Sequence, residues 1–366
     1  MASRSGFPRW ASVLAMAVLV AVLASLPASA QLQFSSADGK QSFKIGILGQ
    51  LQGESIENAD AKADSANNIF LRRIRLLANF KLSDELTVFV DTDTPNLGKG
   101  NPDGTKNNAD LFLQDVIVTY AFSKMFQLDG GLLLTAQTYN HNQSAASLMT
   151  VDYSPYTFNE SVPTTSRTGR DYGVQARGYL ADDHLEYRAG VFQGLRGVNN
   201  TNAFRYAGRL AYYVFGPETT YFYRGTSLGK IQTLSIGASF DEQKDYKSYG
   251  ADLYWDQPIA GGDGVTLQVD YQQLDGDVFI PSLPKQTTSM AELGYYFHTL
   301  KIQPYVQLAR DNFDAVTRPD EKRTQGGLAF WFNGHNSNLK LAWTKIDRDG
   351  FKKRNQYQVQ YQVFQF

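Results

Sequence analysis

The sequence predicts an all-β chain, sixteen antiparallel strands closed into a transmembrane β-barrel, on three observations. A period-2 alternation of apolar and polar residues returns sixteen times, and an even count of strands fits closure. The connections between these runs alternate short and long. The composition holds 21 tyrosines, 23 phenylalanines and 31 glycines, which suits pleated faces, interfacial belts and turns better than helices.

Taken in chain order, the first element is not a strand. Arg4 and Arg9 precede an apolar run from Trp10 to Leu26, and Ala28-Ser29-Ala30 has the small-residue pattern of a cleavage site. Residues 1–30 therefore read as a cleaved export signal, and residues 31–366 as the barrel. The apolar run is too short for an anchor, and beyond residue 30 no stretch of eighteen apolar residues could form a helical span. Of 35 basic residues two lie in the signal, leaving 33 against 36 acidic ones, a net of −3 that gives nucleic acid nothing to bind. The chain has no cysteine, so burial and hydrogen bonding must hold it together without disulfides.

The sixteen runs begin at Phe43, Ile69, Leu86, Phe112, Gln127, Asp171, Leu185, Phe204, Leu234, Tyr249, Val265, Met290, Ile302, Gln325, Leu339 and Tyr357. In VTLQVDYQQ, Val265, Leu267, Val269 and Tyr271 share one face, and Thr266, Gln268, Asp270 and Gln272 the other. Segments such as SDE, SKM, DDH, PIAGGDG, HTLK and NGHNSN are short turns. GESIENADAKADSANN, TPNLGKGNPDGTKNNA and DNFDAVTRPDEKRT are long loops. An outer-membrane barrel has this asymmetry, with the tight turns on the periplasmic side. Residues 215–232 fit poorly, because they are long yet fall on the turn side, and a strand could be misplaced there. In a barrel the apolar face meets lipid and the polar face lines the interior, and sixteen strands enclose more space than their side chains fill, so a water-filled channel is expected. The longest loop, residues 139–168, is long enough to fold into that space as a constriction. Its Met149, Tyr153, Tyr156 and Phe158 argue against disorder.

Charged residues on the inward face are the candidate functional groups. In GRDYGVQARGYLADDHLEYRAGVFQG, a hairpin folded at Asp182-Asp183 sets Leu180 opposite Leu185, Gly178 opposite Tyr187 and Arg177 opposite Arg188. Facing arginines need compensation. Arg177, Arg188, Arg205 and Arg209 all point inward on the sixth to eighth runs, with only Asp171 and Glu186 against them, so two charges are left for a diffusible anion. Arg73 and Arg75 also point inward and read as neutralised by Asp91 and Asp93. Arg72 shares the apolar face and should snorkel at an interface. Asp252, Asp270 and Glu292 form an acidic sector across the lumen, which implies a transverse field. His141, His184, His298 and His335 read as solvated loop and turn residues, and no HExxH, GxSxG or glycine-rich phosphate loop is present, so an enzyme is not expected. The final run QYQVQYQVFQF places Phe364 and Phe366 on the face opposite Val363, Tyr361 and Val359, which a bulge near Val363 would reconcile.

FLRRIRL (70–76), LQDVIVTY (113–120) and residues 169–194 resemble the phosphate-selective porin O and P family of outer-membrane channels. That resemblance implies a sixteen-stranded barrel in the outer membrane of a Gram-negative-type bacterium, a homotrimer, and passage of small anions past lining arginines, with no cofactor. Arg177, Arg188, Arg205, Arg209, Arg73 and Arg75 are the positions that would carry this role. The first loop departs from a basic mouth, since Glu54, Glu57, Asp60 and Asp64 outweigh Lys62. A weakly selective pore for small polar solutes and a structural or adhesive barrel are the alternatives.

Overall fold

Alternation of face along every strand produces an inside-out protein. In the computed structural model, which describes residues 32–57, 65–101, 103–108, 110–197 and 203–366, sixteen antiparallel strands form one closed ring. The residues of the export signal lie outside the described ones. A short β1 (Leu32–Ser35) precedes the ring. The ring runs β2 (Ser42–Glu57), β3 (Ser65–Lys81), β4 (Leu86–Asp93), β5 (Phe112–Ser123), β6 (Phe126–Leu134), β7 (Arg170–Leu180), β8 (Leu185–Phe192) and β9 (Arg205–Phe215). It continues through β10 (Thr233–Gln243), β11 (Tyr246–Pro258), β12 (Gly264–Asp275), β13 (Gln286–Tyr296), β14 (Ile302–Phe313), β15 (Glu321–His335), β16 (Ser337–Arg348) and β17 (Arg354–Gln365). All sixteen runs read from the sequence are strands. Closure is made by β17 against β2, from Gln356 opposite Ile56 to Gln365 opposite Ile47. Directly past that point β1 takes over the same edge of β2, with Leu32 opposite Ile45.

Exposure confirms which face is which. On β12, Val269 and Tyr271 are 40% and 43% exposed, whereas Gln268 and Asp270 are 0% and 7%. The apolar side chains form the exterior that a bilayer would cover, and continuous strand ladders pair most of the backbone along the wall. Among the described residues no helix is long and apolar enough to cross a membrane.

Two register shifts matter for the interior. Register shifts between Gln50 and Leu51, because Gln50 pairs with Arg73 and Leu51 with Leu71, leaving Arg72 as the extra residue of a bulge. This corrects the expectation that Arg72 snorkels from the lipid face: the bulge turns it inside. A second shift, on β4 and β5, leaves Gln114 unpaired in the ladder and buries both Gln114 and Asp115. By contrast, no shift occurs near Val363, where the pairing of β17 with β16 and β2 is continuous. Phe364 and Phe366 simply face inward, packed with Leu48, Leu77 and Phe89.

The connections also differ from strict alternation. Lys244-Asp245 is a two-residue turn on the side of the long loops. No strand is misplaced at 215–232: β9 ends at Phe215, β10 starts at Thr233, and the residues between them enter the barrel from the turn side. The hairpin of β7 and β8 is as expected, with Leu180 opposite Leu185 and Arg177 opposite Arg188. The turn itself is longer than two residues: Ala181, Asp182 and Asp183 have φ of 51°, 53° and 70°, and the His184 amide donates to the Ala181 carbonyl, so the ladder ends at Leu180 opposite Leu185.

The topology fixes a side for every connection. Because the chain has no cysteine, Asp84→Cys and Asp349→Cys are clean single reporters. An impermeant thiol reagent added to one side of a reconstituted bilayer should label one of them and spare the other, and labelling of both from the same side would refute the topology.

Candidate functional site: a lumen crossed by two inserts

The facing arginines are not alone. Register places Arg177 beside Arg188 and Arg188 beside Arg209 across β7, β8 and β9. A guanidinium removed from water leaves an unmet charge unless a carboxylate reaches it, and here each one is reached. Arg177 donates to Asp129 at 2.7 Å, Arg188 to Glu186 at 2.7 Å and Arg205 to Asp241 at 2.6 and 2.5 Å. Arg209 is bidentate on Asp252, with Asp171 serving Arg205 as a weaker partner at 3.5 Å. The sequence-based count of two unmatched charges is therefore corrected. Asp129, Asp241 and Asp252 come from β6, β10 and β11, outside the three strands that carry the arginines. Asp252 is thereby removed from the supposed acidic sector. In the rest of that sector, Asp270 accepts from the Asn140 amide at 2.9 Å and from Gln268, while Glu292 accepts from Gln307.

Arg75 meets Asp91 and Asp93 at 3.2 and 2.8 Å, as expected. Arg73 does not join them. It binds Asp152 at 2.6 Å and Gln50 at 2.8 Å, and Arg72 binds the other oxygen of Asp152 at 2.6 Å. Of the six arginines singled out from the sequence, none is more than 8% exposed.

Asp152 belongs to the first insert, residues 135–169, which joins β6 to β7 and contains a single helical turn, α1 (Tyr139–Asn142). Its in-folding is visible in what holds it. Gln50 and Gln362 donate to the carbonyls of Ala145 and Ala146, and Lys340 donates to those of Leu148 and Thr150 at 2.6 and 3.0 Å. Gln143 reaches Gln268, Asn159 reaches Gln286 and Asp311, and Tyr156 donates to Glu321. The loop is thus tied to β2, β3, β12, β13, β14, β15, β16 and β17. Burial lifts the pKa of the Asp152 carboxyl, but the adjacent Arg72 and Arg73 more than offset this and hold it well below the usual carboxylate range.

The second insert, residues 216–232, is the one that sequence reasoning missed. Phe222 lies 5.7 Å from Phe89 on β4, and Leu228 packs with Tyr296, Tyr305 and Trp331 on β13 to β15, so the segment spans the lumen. Arg188 donates to the carbonyls of Tyr221 and Thr220, and its guanidinium lies 5.3 and 4.7 Å from the rings of Tyr221 and Tyr223. Glu186 accepts from the hydroxyls of Tyr213 and Tyr223, both at 2.9 Å. The two inserts are joined to each other. The Tyr223 amide donates to the Asn142 carbonyl, the Ser144 amide to the Tyr223 carbonyl, and the Gly225 amide to the Ser147 hydroxyl. Tyr139 stacks on Tyr254 at 4.1 Å and packs against Tyr223 at 4.8 Å. A segment with Tyr221, Phe222 and Tyr223 at a turn position was the available signal: three successive aromatics are out of place in a solvated turn.

Two histidines expected in solvent are inside instead. His335 Nε2 lies 2.9 Å from the Thr226 carbonyl, and His141 Nε2 lies 3.2 Å from Glu160, with Phe158 against its ring. Taken together, the interior is filled by inserts to an extent that the expectation of an open bore did not include.

No protein-family model and no curated protein matches the chain. Solved structures do resemble it. They include Salmonella typhi OmpF in complex with daunomycin, at 15% identity and TM-score 0.59 over 91% of this chain and 100% of that one. An anion-selective porin from Comamonas acidovorans matches at 12% identity and TM-score 0.60 over 89% and 100%. The outer-membrane channel DcaP of Acinetobacter baumannii matches at 12% identity and TM-score 0.58 over 91% and 99%. The chain has the fold of outer-membrane porins.

The His141–Glu160 contact has a pH signature. Burial lowers the pKa of His141, a shift opposed by Glu160 and reinforced by Arg170 and Arg205. With the folded pKa below the unfolded value of about 6.5, the folded loop binds fewer protons, so the stabilisation is complete above that pH and is lost as pH falls below it. Limited proteolysis of the first insert should quicken between pH 7 and 5, and His141→Gln should flatten that dependence; equal slopes would exclude the histidine as its source.

Proposed function

We propose that the protein is an outer-membrane diffusion channel that passes small polar solutes, with weak charge selectivity, as a homotrimer. The observation that carries this reading is the closed ring of sixteen strands, apolar outside and lined inside by amides, hydroxyls and matched ion pairs, in a fold shared with porins. An exterior of this kind belongs in the outer membrane of a Gram-negative-type bacterium, where strand barrels span the bilayer. On the wall, the six inward arginines are matched by carboxylates, and Lys340 is held by carbonyls of the first insert. Solutes that exchange hydrogen bonds with water are therefore served without strong preference for one sign of charge.

A preference for small anions, phosphate among them, is the second reading. It is supported by the unbroken line Arg177, Arg188, Arg209 across three strands and by the likeness to a porin described as anion-selective. The two readings separate in planar bilayers under a salt gradient. On the first, the reversal potential lies near zero. The charge-matched double variant Arg209→Gln with Asp252→Asn then leaves it there, and Asp252→Asn alone moves it toward anions by releasing Arg209. A strongly anion-selective wild type that loses selectivity in the double variant would favour the second.

A further inference from the structure

We propose that residues 216–232 form a strap that gates the channel from the turn side, an inference that rests on the channel reading above. Each of the sixteen strands carries at least one inward side chain that is under 7% exposed, from Gln50 on β2 to Gln360 on β17. Strand side chains alone cannot fill a ring of this size, so the inserts account for much of that burial. They cover the lumen jointly, since the strap runs from Phe89 on one wall to Trp331 near the other and is bridged to the first insert at Tyr223.

The two inserts differ in how they are held. The first is fixed by buried ion pairs through Asp152 and by Lys340 on its carbonyls. Within the strap, the ion pair is Arg224 with Glu218, both on the strap itself, and its contacts with the wall set neutral strap groups against Arg188, Glu186 and Asp256, without an ion pair between strap and wall among the described residues. Withdrawal therefore leaves no strap charge stranded, and it frees the carbonyls of Thr220 and Tyr221 and the Tyr223 hydroxyl to water. The strap is attached at Phe215 and Thr233 on the turn side. Gly216, next to Phe215, and Gly229, within the last turn of chain before Thr233, sit at φ 59° and 71°, and a side chain at Gly216 would collide with the Gln232 carbonyl. Movement is thus available toward the turn-side compartment, and the first insert can stay in place while it happens.

The Thr226 hydroxyl on the strap and the Thr266 hydroxyl on β12 are 2.9 Å apart, which makes the pair a natural lock. In the full-length barrel, Thr226→Cys with Thr266→Cys should be silent in planar bilayers when oxidised and should regain wild-type openings on addition of reductant. Replacement of residues 219–228 by a short glycine–serine link, with folding verified by heat-modifiable electrophoretic mobility, should raise conductance several-fold and abolish closures. A thiol reagent added from the turn side should modify Thr226→Cys alone at a rate that tracks open time. Equal conductance of the oxidised and reduced pair, together with no change on truncation, overturns the gate and leaves the channel reading standing. A barrel silent in every form, truncation included, overturns both.

Discussion

A guanidinium shut away from bulk water has to be met by a carboxylate, and that requirement organises the inside of this barrel. Leaving one partner of a buried pair unmet costs about 3–5 kcal/mol, so inward arginines constrain what their neighbours can be. Arg177 calls for Asp129 and Arg205 for Asp241, each one strand away, and Arg209 for Asp252 two strands along the wall. The pairs interlock from β6 to β11 and turn six separately twisted strands into one polar wall. Arg75 with Asp91 and Asp93, and Arg170 with Asp115, extend the same logic through β3 to β7.

The inserts depend on what the wall leaves over. Among the described residues, the carboxylate that reaches Arg72 and Arg73 is Asp152, supplied to both by the first insert. Arg188 is matched by Glu186, yet its remaining N–H groups point into the lumen, where the strap offers the carbonyls of Thr220 and Tyr221. The inserts therefore complete the hydrogen bonding of the wall instead of merely occupying space, and the wall in turn gives two irregular segments the partners that buried backbone requires.

Much of this was legible in the residues themselves. Strand existence follows from the period of two, and the β7–β8 register follows from Asp182-Asp183, because an acidic pair between alternating runs centres a tight turn and thereby pins every cross-strand pair above it. The pairing of Arg75 was legible for the same reason. What was hidden is what period alone cannot carry. The bulge at Arg72 is one extra residue in an otherwise perfect alternation, and it moved a charge from the lipid face to the lumen. The partners of Arg177, Arg205 and Arg209 sit on β6, β10 and β11, where charge counting confined to three strands does not look. The strap was hidden by its position, since a segment on the turn side reads as a connection until Tyr221, Phe222 and Tyr223 are asked what they pack against.

Separation of wall from contents follows from the hydrogen-bond ledger of a closed sheet. Most backbone donors and acceptors of the sixteen strands are used by the adjacent strand, so the ring asks little of its interior in order to close. Interior side chains are then free to be chosen for the inserts, and the inserts are free to differ in how firmly they are tied. Here the tie runs through ion pairs for the segment that descends from the loop side and through hydrogen bonds and rings for the one that rises from the turn side. An ion pair resists withdrawal because separation strands two charges, whereas the strap's bonds to Arg188, Glu186 and Asp256 each set one charge against a neutral group, at about 1.5–3 kcal/mol apiece. That asymmetry, written into Asp152 on one insert and Tyr223 on the other, makes the turn-side segment the more readily released of the two.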